Sequence, residues 1–259
     1  MRHLIERVLE LAEEEEGPSI RPTSVEDMDS NDAELRSLLE SLQPRIRVYG
    51  AGGAGCNAVS RLHEEGLFEN RFVTGHAINT DAQALLMSPL ENKVLIGRTA
   101  RGRGAGGDPT KGEAAALESE NSLRRITDDT QLAIITAGMG GGSGTGAAGH
   151  IARLAKEQGA LTVAVVTYPF NSEGTLRKQN AEWGLERLRE YCDTILVIPN
   201  ERLLEIEGVR DLPLASAFRV GDELLVRAIT GVTELLTTDG MVNFCLLYTS
   251  DAADEGLGV

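Results

Sequence analysis

The sequence predicts an α/β domain built on a doubly wound, mainly parallel sheet. Three observations predict it. From Arg45 onward, short runs rich in Val, Ile, Leu and Ala alternate with stretches of helical periodicity. The apolar runs lack strict apolar–polar alternation, the pattern of strands covered by helices on both faces. Glycine-rich segments stand where strands give way to helices, and sheets of this class bind ligands at the carboxyl ends of their strands.

Taken in order, strands are expected at Ile46–Tyr49, Phe72–Asn79, Lys93–Ile96, Leu132–Thr136, Leu161–Thr167 and Thr194–Ile198. Helices are expected at Asn57–Glu65, Thr80–Met87, Lys111–Arg125, Thr145–Gln158, Thr175–Tyr191 and Leu214–Thr237. Residues 1–44 differ from the rest. They hold 12 acidic and 4 basic residues, a net −8 in a chain whose total is −15. Leu4, Ile5, Val8, Leu9 and Ala12 have helical spacing, so Arg2–Glu16 reads as a short amphipathic helix ended by Gly17 and Pro18. Ser19–Asp32 is polar, and 33–42 allows a second helix before Pro44. This acidic extension, partly helical or disordered, reads either as a partner-docking arm or as a solvated appendage. The domain proper is expected over 45–243.

Composition narrows the function. A hydrophobic fraction of 41% in 259 residues suffices for a core. The charge of −15 and the lack of a basic stripe argue against a nucleic-acid partner. Cys56, Cys192 and Cys245 are odd in number and far apart, without metal-ligand spacing. No apolar run approaches the length of a membrane span, and the acidic amphipathic start is wrong for a signal peptide. A cytoplasmic location without membrane insertion is therefore expected.

Residues 140–146 read GGGSGTG, five glycines in seven positions after the run LAIITA. Glycine loses the most backbone entropy on folding, so such a run makes sense where the backbone must approach something closely. A helix N-terminus with free N–H groups and a positive dipole end suits phosphate. A flexible surface loop is the bland alternative. Residues 50–55, GAGGAG, are a literal GxGxxG between a strand and a helix, the dinucleotide fingerprint. That opens a second reading, a Rossmann oxidoreductase binding NAD(P) or FAD. It requires an acidic residue about 20 positions on, and the candidate, Asp81, is 26 positions past Gly55. A third loop, GRGAGGDP at 102–109, follows the third strand. Three such loops on one rim fit a triphosphate enclosed on several sides better than a pyrophosphate. There is no GxxxxGK[ST], so the phosphates would be held by amide nests and a helix dipole rather than by a P-loop lysine.

With these segments in view, the chain resembles the FtsZ branch of the tubulin/FtsZ family, and its archaeal members most. The resemblance rests on GAGGAGCNAV (50–59), NTDAQAL (79–85), RGRGAGGDP (101–109), GMGGGSGTGAA (138–148), VAVVTYPFNSEG (163–174), VIPNERLLEI (197–206) and AFRVGDELLVRAITGVTELLT (217–237), in order across Arg45 to Asn243. Ser143, where the family usually has Thr, and Asp108, where it often has Asn, are mild departures. The resemblance implies a Rossmann-like GTPase domain binding GTP or GDP with Mg2+. It places Gly52, Gly53, Ala54, Gly55, Cys56 and Asn57, with Gly141, Gly142, Ser143, Gly144, Thr145 and Gly146, around the phosphates. Ala105, Gly106 and Gly107 would close over the γ-phosphate and sense the nucleotide state. Asn79 and Asp81 would lie beside them, Asp81 near the metal and its water. Pro169 would border the site. Glu173 and Arg177, four apart on one helix face, would hold ribose and phosphate, with a surface ion pair as the plain alternative. Asn200 and Asp222 would read the guanine edge, and Phe218 would stack on the base or pack in the core. Trp183 and the histidines receive no role.

The resemblance further implies a protein of cell division that assembles head to tail with copies of itself into filaments. Its place would be the division site at midcell, with membrane-anchoring and other division proteins as partners. In this family GTP is cleaved between subunits, by an acidic NxDxxD loop after the long central helix. Asn243 stands where that motif begins, but Cys245 occupies the position of its first Asp. Residues 244–259 read as a non-native tail, the stretch CLLYTSDAADE resembling translated sequencing adapter, so the second domain would be missing and the chain alone nearly inactive. A divergent natural terminus using Asp251 or Asp254 is the alternative. A scaffold that senses nucleotide without hydrolysing it also remains open.

Overall fold

Six parallel strands form one sheet in the order β3-β2-β1-β4-β5-β6. The computed structural model describes residues 44–206, 209 and 213–237. The acidic extension, Asn243 and the residues after it lie outside the described residues. The strands are β1 (Ile46–Ala51), β2 (Val73–Asn79), β3 (Lys93–Leu95), β4 (Leu132–Gly138), β5 (Leu161–Tyr168) and β6 (Thr194–Pro199). The helices are α1 (Gly52–Glu64), α2 (Ala82–Met87), α3 (Pro109–Glu118), α4 (Glu120–Thr127), α5 (Ser143–Glu157), α6 (Thr175–Tyr191), α7 (Asn200–Leu203) and α8 (Leu214–Thr237).

Neighbouring residues on a strand point to opposite faces, and here both faces are buried. Leu132 and Ile134 of β4 join Ile46 and Val48 of β1 in a cluster with Val59 and Leu62 of α1 and Leu225, Val226 and Ile229 of α8. Ala133, Ile135 and Ala137 turn the other way and pack with Ala147, Ile151 and Leu154 of α5 and with Ala181, Leu185 and Leu188 of α6. Two apolar faces explain why the strand sequences show no alternation. The strand order reverses between β1 and β4, whose registers pair Ala51 with Ala137. A cleft opens at such a reversal, beyond the carboxyl ends of the strands.

Three expectations are corrected. Helix α1 starts at Gly52 and not Asn57, and α5 at Ser143 and not Thr145, so the glycine segments form the first turns of their helices. The helix expected over Lys111–Arg125 is two helices meeting at Ser119. At that junction the hydroxyl of Ser119 accepts from Gly97 N at 3.0 Å and ties the break to the chain just past β3. The short α7 was not expected.

Helix α5 is sandwiched between the sheet, α3 and α6, and its small residues allow this. A Cβ added at Gly146 would stand 2.2 Å from Pro109 O and 2.4 Å from Glu113 N, both backbone atoms of α3. This contact fixes the height of α5, and so where its N-terminus sits. Gly146→Ala is expected to cost about 1–3 kcal/mol of stability through overpacking, read as a lowered urea midpoint. A loss below about 0.5 kcal/mol, the range of an indifferent surface change, would contradict this account.

Candidate functional site

The cavity at the strand reversal has a volume of ≈ 270 Å³ and is walled by two helix N-termini, the ends of β4 and β5, and α8. A larger, more open cavity of ≈ 460 Å³ lies at the outer edge of β3 beside Lys93, Arg98 and Arg101, but it holds none of the expected site residues. The smaller one gathers Gly53, Ala54, Gly141, Gly142, Ser143, Gly144, Pro169, Glu173, Arg177, Asn200, Phe218 and Asp222.

Its phosphate-like end is made by backbone. A Cβ at Gly52 would lie 2.5 Å from Gly144 N, and one at Gly144 would lie 2.7 Å from Ala51 O. Only glycine lets the starts of α1 and α5 come this close. Gly53 and Gly141 have no atom within 4 Å of an added Cβ, so their backbone faces open space in the cavity. The first N–H groups of a helix have no partner within it. Helices α2 and α3 meet that need with side chains: Asp81 accepts from Gln83 N and Ala84 N, and Asp108 from Thr110 N. Helices α1 and α5 have no side-chain cap. Two uncapped N-termini, each with a positive dipole end, therefore point into one cavity.

The opposite end is made by side chains. Asn200 is buried, and its Oδ1 has no hydrogen-bond partner. Burial pushes the Asp222 carboxyl up to about 6, with Arg61 pulling the other way. Phe218 is 36% exposed and meets Phe170 edge to face, with ring centroids 5.2 Å apart. At the rim, Glu173 Oε1 accepts from Phe170 N at 2.8 Å, and its other oxygen pairs with Arg177 Nη1 at 3.1 Å. The i,i+4 ion pair is present and both residues line the cavity, so the two readings of the pair are compatible.

The other expected residues lie elsewhere. Gly55 packs against β4, where a Cβ would meet Thr136 O at 2.4 Å. The buried Cys56 thiol, pushed up to about 12, donates to Gly50 O and Ile78 O, towards the sheet. Asn57 is exposed on α1. Thr145 is fully buried, and its hydroxyl accepts from Gly140 N at 2.9 Å. That hydroxyl pins the glycine loop instead of facing the cavity. Gly146 packs on α3, as above. Asn79 is buried and accepts from Asp81 N at 3.2 Å. The Asp81 carboxylate caps α2 through Oδ1 and does not line the cavity. Ala105 packs beside Gly142, bringing the 102–109 loop against the first turn of α5, while Gly106 and Gly107 stay exposed. Met139, Thr167 and Gly221 also line the cavity. All three fall inside the motifs 138–148, 163–174 and 217–237, and that membership is the only signal the sequence offers for them.

The model of the Tubulin/FtsZ family GTPase domain matches residues 45–208. The chain is 45% identical over 257 residues to cell division protein FtsZ 1 of Archaeoglobus fulgidus, covering 99% of this chain and 68% of that one. It is 48% identical over 247 residues to cell division protein FtsZ 1 of Pyrococcus furiosus, covering 94% of this chain and 64% of that one. An FtsZ dimer structure from M. jannaschii, described as empty, superimposes with a TM-score of 0.77 at 46% identity, over 83% of this chain and 62% of its own. The chain thus spans about two thirds of the length of these relatives. It belongs to the tubulin/FtsZ family and carries its GTPase domain.

Burial of Asp222 sets an expected pH dependence. Its folded-state value lies above the ordinary 3.8, so its contribution to stability is full below 3.8 and lost as pH rises through about 6. The stability of the nucleotide-free wild type minus that of Asp222→Asn, from urea midpoints, should therefore fall across that window. A flat difference would show the carboxyl to be solvated.

Proposed function

We propose that this member of the tubulin/FtsZ family binds guanine nucleotide in the cleft at the β1/β4 reversal. The observation that carries the proposal is the pairing of two uncapped helix N-termini at one end of a cavity with the unpartnered Asn200 Oδ1 and the half-buried Asp222 carboxylate at the other. The N–H groups at the starts of α1 and α5 hold the phosphates. Glu173 and Arg177 hold ribose and phosphate. The Asp222 carboxylate accepts from guanine N1–H and the 2-amino group, and Asn200 Oδ1 provides a further acceptor. Phe218 lies one helical turn before Asp222 and stacks on the base.

No group of three His, Cys, Asp or Glu among the described residues could hold a metal ion. Mg2+ keeps much of its water and binds through one or two carboxylates plus substrate phosphates. Its hold here would come from the nucleotide, where it would neutralise phosphate charge. No helix among the described residues is long and apolar enough to cross a membrane.

Hydrolysis would occur between copies, with a second chain bringing carboxylates to orient water at the γ-phosphate. Head-to-tail stacking is a heterologous contact that does not close, so it propagates as a filament. The FtsZ dimer that this chain resembles supports self-association. Cell division is the role that the names of its relatives attach to them, and a cytoplasmic place at midcell, beside a membrane-anchoring partner, goes with that role.

Adenine offers no donor at the position of guanine N1, so it leaves the half-buried Asp222 acceptor unpaired. A site built this way discriminates by on the order of 10⁴. Calorimetry should find GTP and GDP bound far more tightly than ATP, with Asp222→Ala removing most of the preference. Equal affinities for GTP and ATP would refute the proposal.

A further inference from the structure

We infer that Asn180 is a positioning residue that latches the loop before α3 onto the glycine loop before α5, and so sets how strongly the protein distinguishes GTP from GDP. The inference rests on the nucleotide reading above. Asn180 lies on α6, three residues past Arg177, and so shares the helix face turned to the cavity. Its amide nitrogen donates to Gly107 O at 3.0 Å and to Gly140 O at 3.3 Å. A side-chain amide has two N–H donors, so one nitrogen serves both carbonyls. Both acceptors are glycines in the left-handed region, at φ 79° and 102°, which is how the chain turns each carbonyl towards α6.

The two loops depend on this bridge to different extents. Gly140 is also held by its own N–H, bonded to Thr145 Oγ1, and by close packing on Arg177 O, which a Cβ would approach to 2.8 Å. The 102–109 loop is fastened at its start, where Gly104 N donates to Thr80 O and Ala82 N to Gly102 O. It is fastened again at its end, where Asp108 caps α3. Between these anchors, Gly106 and Gly107 have nothing within 4 Å where a side chain would be. Among the described residues, Asn180 supplies the side-chain hydrogen bond that this middle stretch receives.

A diphosphate needs the α1 and α5 N-termini. Ala105 packs on Gly142 at the start of α5, so the middle of the 102–109 loop stands beside that N-terminus, where the resemblance to the family would place a third phosphate. Removing the latch loosens Gly107 while Thr145 keeps Gly140 in place, so the loss falls more on GTP than on GDP.

The test is calorimetric titration of the wild type, Asn180→Ala and Asn180→Asp with the slowly hydrolysed GTPγS and with GDP. One net hydrogen bond is worth about fivefold in an equilibrium, so the GTPγS-to-GDP affinity ratio should fall about fivefold in Asn180→Ala. It should fall further in Asn180→Asp, where a carboxylate would face two carbonyl oxygens. Asn180→Gln, which keeps the donors on a longer arm, provides the same ratio should Asn180→Ala not fold, and should lie between wild type and Asn180→Asp. A ratio unchanged within about twofold overturns the latch, whether both affinities hold or fall together, since a merely structural residue would move them equally. Variants with an unchanged ratio in a chain that prefers guanine sink the latch alone, whereas a wild type without that preference sinks the nucleotide reading itself.

Discussion

The close approach of two helix starts, Gly52 to Gly144, is the constraint on which the rest of the structure depends. At 2.5 Å from a would-be Cβ to a backbone nitrogen, no side chain fits at Gly52. Bringing the starts of α1 and α5 together at the strand reversal leaves their first N–H groups without side-chain caps, although α2 and α3 of the same chain are capped by aspartates. Such donors are expensive to leave unmet. Helices α4, α6 and α7 also lack side-chain caps, but the starts of α1 and α5 meet at one cavity, where a phosphate chain would satisfy them.

Much else serves to hold this approach in place. Helix α5 presents Gly146 to the backbone of α3 and Thr145 to Gly184 of α6, so it can seat deeply between them. Thr145, buried beneath the loop, spends its hydroxyl on Gly140 N and keeps the glycine segment from swinging out. The far wall works by a different principle. There the buried Asn200 Oδ1 has no partner and the half-buried Asp222 carboxylate stands beside it, acceptors that a bound ligand would supply with donors. One end of the cavity presents donors and the other acceptors, which is the polarity of a guanine nucleotide laid from phosphate to base.

The sheet was legible in the sequence because both faces of its central strands are buried and apolar, and that leaves runs such as LAIITA with few alternatives. Its six strands fall where the runs do. Helix starts were less legible. The glycine segments read as loops because glycine is a poor helix former, but at Gly52 and Ser143 tertiary packing overrides propensity and winds them into first turns. Similarly, a continuous helical pattern over 111–125 conceals the break at Ser119, whose hydroxyl accepts from Gly97 N far away in sequence. In the cavity, residues carried by motif (Gly53, Gly141, Glu173, Asn200, Asp222) came together. Thr145 and Asp81 look like ligand contacts in one dimension; the structure adds that Thr145 Oγ1 accepts from Gly140 N and Asp81 Oδ1 caps α2, bonds that motif spacing does not reveal. Asn180 gave no signal at all, since its importance lies in two carbonyl groups, and carbonyls are the same in every residue.

The central claim is that the free N–H groups of α1 and α5 are the phosphate receptor. Amide hydrogen exchange with and without saturating GDP tests it most directly. The account predicts that protection rises at Gly53–Gly55 and Ser143–Thr145, while the aspartate-capped starts of α2 and α3 do not change. Protection that instead appeared beside Lys93 and Arg98 at the outer edge of β3, with the two helix starts unaltered, would contradict it.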